Sequence, residues 1–416
     1  MEKKPVAKIN QQDLARAFVG KKNVEPIPHK KEGRKWIIIL IAGGICLILG
    51  LVCILCGFLV GGEEAATLSF SKIPSKSTSQ PTFYSKLTGI PVGNEAEQDA
   101  PVYCMQTPNG VDGARPQAGL TEAGVIFEAV AEAGITRFAA IYQNPGSAVI
   151  GPIRSLRTYY LEWDTPFDCA IVHAGGAGDA LAAVASGGYK DLDENYTYMF
   201  RGTYGSRLWN NLFTTAQDLR RFSDATSYDK SSIKGFKRMT PQESDLSRVS
   251  GTSVGTFDIL KPYKEGDSER DSATNIKFYF GGSPIFDVAY TYNPETNLYS
   301  RSYGNGAAHE VYQCASEDLG QKNPEDVCTL TQMTPAVVIA MVVQEKRAAD
   351  NYHEDITTIG SGDAYVFQNG TVIKGVWKKP AVDEQISFFD EHGNEIALAP
   401  GQTFISAVPG YGSIEY

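Results

Sequence analysis

The sequence predicts an α+β protein in which one transmembrane helix is followed by an N-terminal α/β layered domain and a mostly β C-terminal domain. Three observations lead to this prediction: an uncharged apolar run at 36–60, alternating strand-like and helix-like runs over 84–225, and mainly strand-like runs over 275–412. About 350 of the 416 residues follow the apolar run, which is more than one hydrophobic core usually serves. We therefore expect two folded domains outside the membrane.

The apolar run Trp36–Val60 is predicted to be an uncleaved membrane anchor. At a rise of about 1.5 Å per helical residue, it is long enough to cross a bilayer core of roughly 30 Å. Residues 1–35 form a basic tail with ten Lys and Arg against four Asp and Glu, a net charge of +6. Subtracting this from the whole-chain charge of −10 leaves −16 on the remainder. The positive-inside rule places the tail in the cytoplasm and the remainder outside. A cleaved signal peptide is the alternative, but the run is too long and lies behind a 35-residue leader.

The region 84–225 is predicted to alternate strands and helices. Residues 61–83, rich in Ser, Thr, Lys and Pro, are interpreted as a linker before it. VIFEAVAEAGITRFAAIYQ (125–143) is typical of a hairpin, and a short helix is expected to begin beyond Pro152. Thr215 opens a capping-box-like sequence, which predicts a further helix to about residue 222.

The region 275–412 is predicted to be mostly β, after a polar connection at 226–274. Runs such as FDVAYTYN, AVVIAMVVQ and TVIKGVW are rich in β-branched and aromatic residues. Asn369-Gly370 separates two of these runs at hairpin spacing, which indicates a type I′ turn.

Four cysteines follow the apolar run. Cys314 and Cys328 are the candidate disulfide, because a bond between them would staple a polar surface loop, with a stabilisation of about 3 kcal/mol. Cys104 and Cys169 lie in strand-like runs, where paired and free thiols are equally compatible with the sequence. Among the residues that follow the apolar run, no Cys-x-x-Cys or paired-His spacing is present, so neither a metal nor another cofactor is predicted.

Arginines and a glycine turn suggest an anion-binding site in the first domain. If Pro152 begins a helix, Arg154 and Arg157 present two guanidinium groups on one face, which suits a phosphate or carboxylate. His173 ends an apolar strand and leads through glycines into a helix, another common anion-binding arrangement. Simple surface ion pairing and simple turning are the alternatives. The candidate ligand-binding residues are Glu128, Arg137, Arg154, Arg157, His173, Gly175, Gly176, Arg201 and Arg207.

No catalytic residue is assigned. Glu128 is expected to pair with Arg137 across a hairpin, with an acid or base role as the alternative. Ser155, His173 and Asp179 could be written as a nucleophile, base and orienting acid, but no Gly-x-Ser-x-Gly elbow supports such a triad. The acidic patch at 191–194 lacks the ligand spacing of a calcium loop, so we interpret it as solvated.

Several sequence blocks resemble those of a bacterial family, the YerB-type envelope proteins, which carry a two-part domain of unknown function. In the first half the resemblance is carried by LTGIPV (87–92), ARPQAGLTEAGVIFEAVAEAGITRF (114–138), IGPIRSLRTYY (150–160) and IVHAGGAGDAL (171–181). In the second half it is carried by GSGDAYVFQNGTVIKGVWKK (360–379) and LAPGQTFISAVP (398–409). The resemblance implies two linked domains at the envelope and no established reaction. Many members are lipoproteins, whereas this chain is predicted to carry a spanning helix, and its loop at 314–328 looks like an insertion.

These observations predict a single-pass protein of the cell membrane that binds an anionic envelope ligand or acts as a scaffold, with no nucleic-acid partner. The candidate ligands are a cell-wall precursor phosphate, a teichoic-type polymer and a peptide carboxylate. One alternative is an envelope phosphotransferase or hydrolase acting on a lipid-linked phosphate, which would need a divalent metal or a clear base. Another is an adaptor that docks an envelope protein through its β domain.

Overall fold

The computed structural model describes residues 83–202, 210–248, 271–314 and 328–416. The predicted tail, the predicted transmembrane run and nearly all of the predicted linker lie outside these residues. Arg207 also lies outside them. Among the described residues, no helix combines the length and the apolar character needed to cross a membrane.

The described residues are mostly strand, with few and short helices. The strands are β1 Phe83–Tyr84, β2 Pro91–Val92, β3 Val102–Pro108, β4 Val125–Glu132, β5 Ile135–Gln143, β6 Ala170–Val172, β7 Lys190–Leu192, β8 Met199–Arg201, β9 Leu212–Thr214, β10 Asp271–Ser272, β11 Asn275–Phe278, β12 Val288–Asn293, β13 Leu298–Tyr303, β14 Glu310–Cys314, β15 Cys328–Gln332, β16 Val337–Val342, β17 Glu345–Arg347, β18 Glu354–Ile356, β19 Gly360–Gln368, β20 Thr371–Lys379, β21 Ser387–Asp390, β22 Thr403–Val408 and β23 Ile414–Glu415. The α-helices are α1 Glu95–Gln98, α2 Thr158–Asp164, α3 Gly178–Ala185, α4 Ala216–Thr226 and α5 Pro241–Leu246. Short 3-10 turns cover Leu120–Glu122, Thr165–Phe167, Pro284–Phe286 and Tyr411–Ser413.

Strands from both halves of the chain form one mixed sheet. Within the described residues this sheet has eleven strands in the order β10-β20-β19-β16-β22-β4-β5-β3-β6-β7, with β21 paired to β20. The two halves meet where β22 runs parallel to β4, with Ser406 opposite Glu128. The strand-rich second half is predicted correctly. The prediction of two separate folded domains does not anticipate a sheet that both halves share.

The central strands β4 and β5 have an apolar core on each face, because successive side chains of a strand point to opposite sides. On one face, Phe127 and Ala129 pack against α2, whose Tyr160 and Trp163 are buried. On the other face, Phe138 packs in a core that includes Phe404 of β22. Helix α2 is therefore held by the sheet face opposite to Phe138.

Two local predictions are confirmed. The hydroxyl of Thr215 accepts a hydrogen bond from the amide of Asp218 and caps α4. Asn369 and Gly370 have φ values of +54° and +76° and join β19 to β20, as a type I′ turn requires.

Two disulfides join cysteines of the described residues. One joins Cys314 and Cys328, which lie opposite each other on the hairpin β14–β15 with their Cα atoms 4.4 Å apart. The other joins Cys104 of β3 to Cys169, just before β6. The second bond lies in the core, where both cysteines are buried.

Candidate functional site

Two of the predicted arginines meet at a carboxylate that the sequence analysis did not select. The Nη2 atoms of Arg137 and Arg157 each donate to Glu132, at 2.6 Å to Oε1 and 2.6 Å to Oε2 respectively. The side chains of Arg137, Arg157 and Glu132 are only 4%, 6% and 11% exposed. The arrangement is a buried, charge-assisted bridge in which one carboxylate holds two guanidinium groups.

A bulge in β4 explains why Arg137 binds Glu132 and not Glu128. Glu128 lies opposite Phe138, whereas Arg137 lies opposite Ala129, so Glu128 and Arg137 point to opposite faces of the sheet. The expected Glu128–Arg137 pair is therefore wrong. The register shifts between Val130 and Glu132, which places Glu132 opposite Ile135. This extra residue turns the carboxylate of Glu132 onto the face of Arg137.

The short helix expected beyond Pro152 is confirmed as α2, but a helix start at Pro152 is wrong, because the segment that carries Arg154 and Arg157 is extended. Helix α2 begins at Thr158, with Arg157 as its N-cap residue in an extended conformation. The amides of the preceding segment are already bound across the chain: Arg154 donates to the carbonyl of Gln106 and Leu156 to that of Gly175. The Leu156 amide, which a helix from Pro152 would bond to the carbonyl of Pro152, is therefore not available for that hydrogen bond. Tertiary pairing, and not a helix face, brings the two arginines together.

Arg154 also acts on this bridge electrostatically. Burial alone would raise the pKa of the Glu132 carboxyl, but Arg137, Arg157 and then Arg154 outweigh burial and lower it. We call Glu132, Arg137, Arg154 and Arg157 the Glu132 cluster. With one carboxylate and three guanidinium groups, the cluster has a formal charge of +2.

Arg157 also lines an adjacent cleft of about 500 Å³, which we call the Arg157 cleft. The cleft lies between the start of α2, the start of α3 and the hairpin β17–β18. Besides the phenol of Tyr159, its charged and titratable lining consists of Arg157, Glu162, Asp179, Asp350, His353, Glu354 and Asp355. Five carboxylates against one guanidinium and one imidazole make this lining predominantly acidic.

His173 is held between acceptors at the end of β6. Its Nδ1 lies 2.8 Å from the carbonyl oxygen of Gly175, and its Nε2 lies 2.8 Å from Oδ1 of Asp191. Both partners are acceptors, so this geometry favours the form of the imidazole in which both ring nitrogens carry protons. Burial opposes this charge, but Asp191 and Asp193 outweigh it and raise the pKa of His173. The imidazole therefore acts as a fixed link between the glycine turn and the strand β7.

The backbone of the glycine turn at 175–176 is bound to neighbouring parts of the chain. The Gly175 amide donates to Oδ1 of Asp193 at 2.9 Å, and Gly176 bridges to Leu156 in the extended segment. A Cβ atom on Gly176 would lie 3.2 Å from the carbonyl oxygen of Leu156, so the glycine allows this close approach. The turn therefore supports the segment that carries Arg154 and Arg157.

The remaining predicted arginines lie apart from the Glu132 cluster or outside the described residues. Arg201 lies on β8, where its guanidinium binds Glu194 at 2.6 Å, the hydroxyl of Tyr196 at 2.9 Å and Asn211 at 3.0 Å. Arg207 lies outside the described residues. The structure thus brings Arg137, Arg154 and Arg157 together and leaves Arg201 on a different hairpin.

Glu128 belongs to a second buried network on the opposite face of the sheet. Its Oε2 binds Nη2 of Arg301 at 2.9 Å, and both side chains are fully buried. Arg301 also contacts His309, whose Nε2 lies 3.2 Å from the side-chain oxygen of Gln117. Burial and the nearby guanidinium of Arg301 keep the pKa of His309 well below its usual value. This ion pair ties β4 to β13 across a sequence separation of 173 residues.

The sequence analysis did not select Arg301, although the residue pattern of β13 indicates that its side chain is buried. In β13, the buried positions alternate as Tyr299, Arg301 and Tyr303. An arginine at an inward-facing position between two tyrosines indicates a buried partner. No comparable signal marks Glu132, because its orientation depends on the bulge.

Ser155, His173 and Asp179 do not form a nucleophile–base–acid triad in the structure. The ring nitrogens of His173 face Gly175 and Asp191, while Asp179 accepts from the hydroxyl of Thr158 at 2.7 Å. The carbonyl of Ser155 accepts from Arg137 at 2.6 Å. Within the described ranges, no group of three or more His, Cys, Asp or Glu side chains is placed to hold a metal ion.

Comparisons with known proteins agree with this two-part chain. Residues 87–229 match the N-terminal domain, and residues 274–405 the C-terminal domain, of the family described as protein of unknown function DUF3048. The Bacillus subtilis protein named "Putative lipoprotein YerB" is 27% identical over 330 residues, covering 78% of this chain and 85% of its own length. The crystal structure of YerB from Bacillus subtilis superimposes with a TM-score of 0.62 at 21% identity, covering 80% of this chain and 99% of YerB, and supports the fold. The chain therefore belongs to the YerB-type DUF3048 family.

Proposed function

We propose that this is a membrane-anchored, extracytoplasmic binding protein of the cell envelope, and that its ligand occupies the Arg157 cleft. One observation carries the proposal. The Glu132 cluster holds a buried guanidinium, Arg157, at the wall of a cleft of about 500 Å³ whose other charged groups are mostly carboxylates. This volume lies within the range of small-molecule sites in proteins.

The charges of the cleft favour a ligand that carries both signs. Asp179 accepts a hydrogen bond from the hydroxyl of Thr158, which leaves its negative charge uncompensated. Glu162 accepts from the hydroxyl of Thr358 and interacts electrostatically with Lys379. An ammonium group suits the carboxylate of Asp179, and an anionic group suits the side of the cleft beside the Glu132 cluster, whose formal charge is +2.

Of the predicted anionic ligands, a peptide with free amines and a carboxylate fits best. A polyanionic polymer would meet repulsion from Asp179, whereas Glu354 and Asp355 are paired with Arg347 and Lys346.

The proposed location rests on the apolar run Trp36–Val60 and on the change from a basic tail to an acidic remainder. The description of the Bacillus subtilis relative as a lipoprotein supports the same side of the membrane. Protease treatment of intact cells tests it directly. We expect cleavage of the region after residue 60, while resistance of that region in intact cells, together with cleavage after lysis, would contradict the proposed location.

Calorimetric titration tests the ligand class, with the tripeptide Lys-Ala-Ala as the probe. We expect binding of the peptide with free termini, and at least tenfold weaker binding when both amines are acetylated, because the ammonium groups are then lost. Asp179→Asn removes one cleft carboxylate, and about 1 kcal/mol of lost attraction corresponds to roughly fivefold weaker binding. Asp99→Asn is the matched control, because Asp99 is exposed, pairs with Lys86 and does not line the cleft. Equal affinity for the free and acetylated peptides would contradict the proposal.

A further inference from the structure

The hairpin β17–β18 forms one wall of the Arg157 cleft. Seven residues between 345 and 356 line the cleft, and four of them carry charged or titratable side chains: Asp350, His353, Glu354 and Asp355. The hairpin reaches the Glu132 cluster through an antiparallel bridge between Glu132 and His353. A movement of this hairpin would therefore change both the shape of the cleft and the support of the cluster.

The carboxyl group of Glu345 is in an unusual position on this hairpin. Glu345 is half-buried, and its Oε2 is buried without a hydrogen-bond partner. The side chain of Glu354 on the facing strand is only 7% exposed and is bound to Arg347 at 3.2 Å. A buried carboxylate oxygen that lacks a donor and lies near a like charge is destabilised when it is ionised.

We propose that the hairpin β17–β18 is a proton-controlled wall of the Arg157 cleft, packed closed when Glu345 is neutral and loosened when Glu345 is ionised. The physical cause is the cost of placing a negative charge beside Glu354 in a site without a donor. Its consequence for ligand access rests on the proposed function, but the movement of the hairpin does not.

On balance, the surroundings of Glu345 raise the pKa of its carboxyl group. Burial and the neighbouring Glu354 raise the pKa of Glu345 to about 7, against a partial opposing effect of Arg347. Tyr159 of α2 is the other titratable group that interacts with it, and its hydroxyl already donates to the carbonyl of Val130 at 2.9 Å. Tyr159 therefore does not stabilise the ionised carboxylate.

The sign of the pH effect follows from this raised pKa. The closed hairpin holds a proton on Glu345 up to about pH 7, whereas an opened, solvated carboxyl releases it near its usual value of 4.5. Opening therefore becomes easier as the pH rises between these two values, by at most tenfold per pH unit.

Hydrogen exchange of the full-length protein in detergent, without any ligand, tests the proposal. Between pH 5 and pH 7, we expect the opening equilibrium of residues 345–356, corrected for the intrinsic exchange rate, to rise by about threefold to tenfold per pH unit. Glu345→Gln replaces the carboxyl with a neutral isostere, so its hairpin should stay protected and show no such rise.

Two variants of the same hairpin are the controls. Asp355→Asn removes an exposed carboxylate that pairs with Lys346. His353→Gln removes the imidazole of the hairpin, which is bound to Asp350. Both should keep the wild-type pH profile. A flat profile in the wild type, an unchanged profile in Glu345→Gln, or a flat profile in either control would overturn the proposal. Failure of peptide binding with this pH profile intact would instead refute only the proposed function.

Discussion

Replacing Glu132 with glutamine tests whether its carboxylate is needed to bury two guanidinium groups. Glu132→Gln keeps the shape of the side chain but leaves Arg137 and Arg157, only 4% and 6% exposed, without their anion. Two unit charges about 4 Å apart interact with about 4 kcal/mol at an effective dielectric constant of about 20. Removing one partner of a buried pair typically costs about 3–5 kcal/mol. We therefore expect the free energy of unfolding to fall by about 3–5 kcal/mol.

Urea denaturation at pH 7 measures this loss, and an exposed ion pair supplies the control. The side chains of Lys86 and Asp99 are 42% and 47% exposed, so Asp99→Asn should cost less than about 1 kcal/mol. Because the pKa of Glu132 is lowered in the folded state, its stabilisation is present above its unfolded pKa and is lost as the pH falls through the folded value. The difference between wild type and Glu132→Gln should therefore shrink below about pH 4.5.

Two results would refute this reasoning. One is a Glu132→Gln variant within about 1 kcal/mol of the wild type at pH 7, which would show that water or other groups compensate both arginines. The other is a stability difference that stays constant in acid. A double-mutant cycle with Arg137→Met separates the pair energy from other effects, and we expect a coupling of at least about 1 kcal/mol.

Three further predictions concern the elements around the site. Asp191→Asn should lower the free energy of unfolding by about 1 kcal/mol at pH 6 and by little at pH 9, as measured by urea denaturation. The pKa of His173 is raised in the folded state, so the stabilisation by the His173–Asp191 pair is present below the unfolded pKa of the histidine and is lost as the pH rises through the folded value. Replacing both Cys314 and Cys328 with serine should lower the free energy of unfolding by about 3 kcal/mol under oxidising conditions, as expected for a short closed loop. Deleting Ala131 removes the bulge in β4 but leaves Glu132 directly after Val130, still opposite Ile135 and on the face of Arg137, so the loss should be smaller than for its replacement with glutamine, below about 3 kcal/mol in the same denaturation assay.

The positions of Arg154 and Arg157 depend on contacts that are distant along the chain. Arg154 and Arg157 are prominent in the sequence, and the structure does bring them near each other and near Arg137. The reason differs from the predicted one, because the segment is extended and the amides of Arg154 and Leu156 donate to the carbonyls of Gln106 and Gly175. Propensity and spacing describe a residue's neighbours along the chain, whereas these carbonyls come from other strands and turns.

By itself, the sequence determined the features that depend on adjacent residues. The strand-rich second half, the Thr215 cap and the Asn369-Gly370 turn follow from alternation, side-chain capping and tolerance of positive φ. Only the tertiary structure decided which charges are partners: Glu128 binds Arg301, and Glu132 binds Arg137 and Arg157. One bulge residue reverses the face to which a carboxylate points, and a parallel pairing of β22 with β4 joins the two halves of the chain. Strand register and long-range pairing arise from the packing of the whole sheet, so no local pattern contains them.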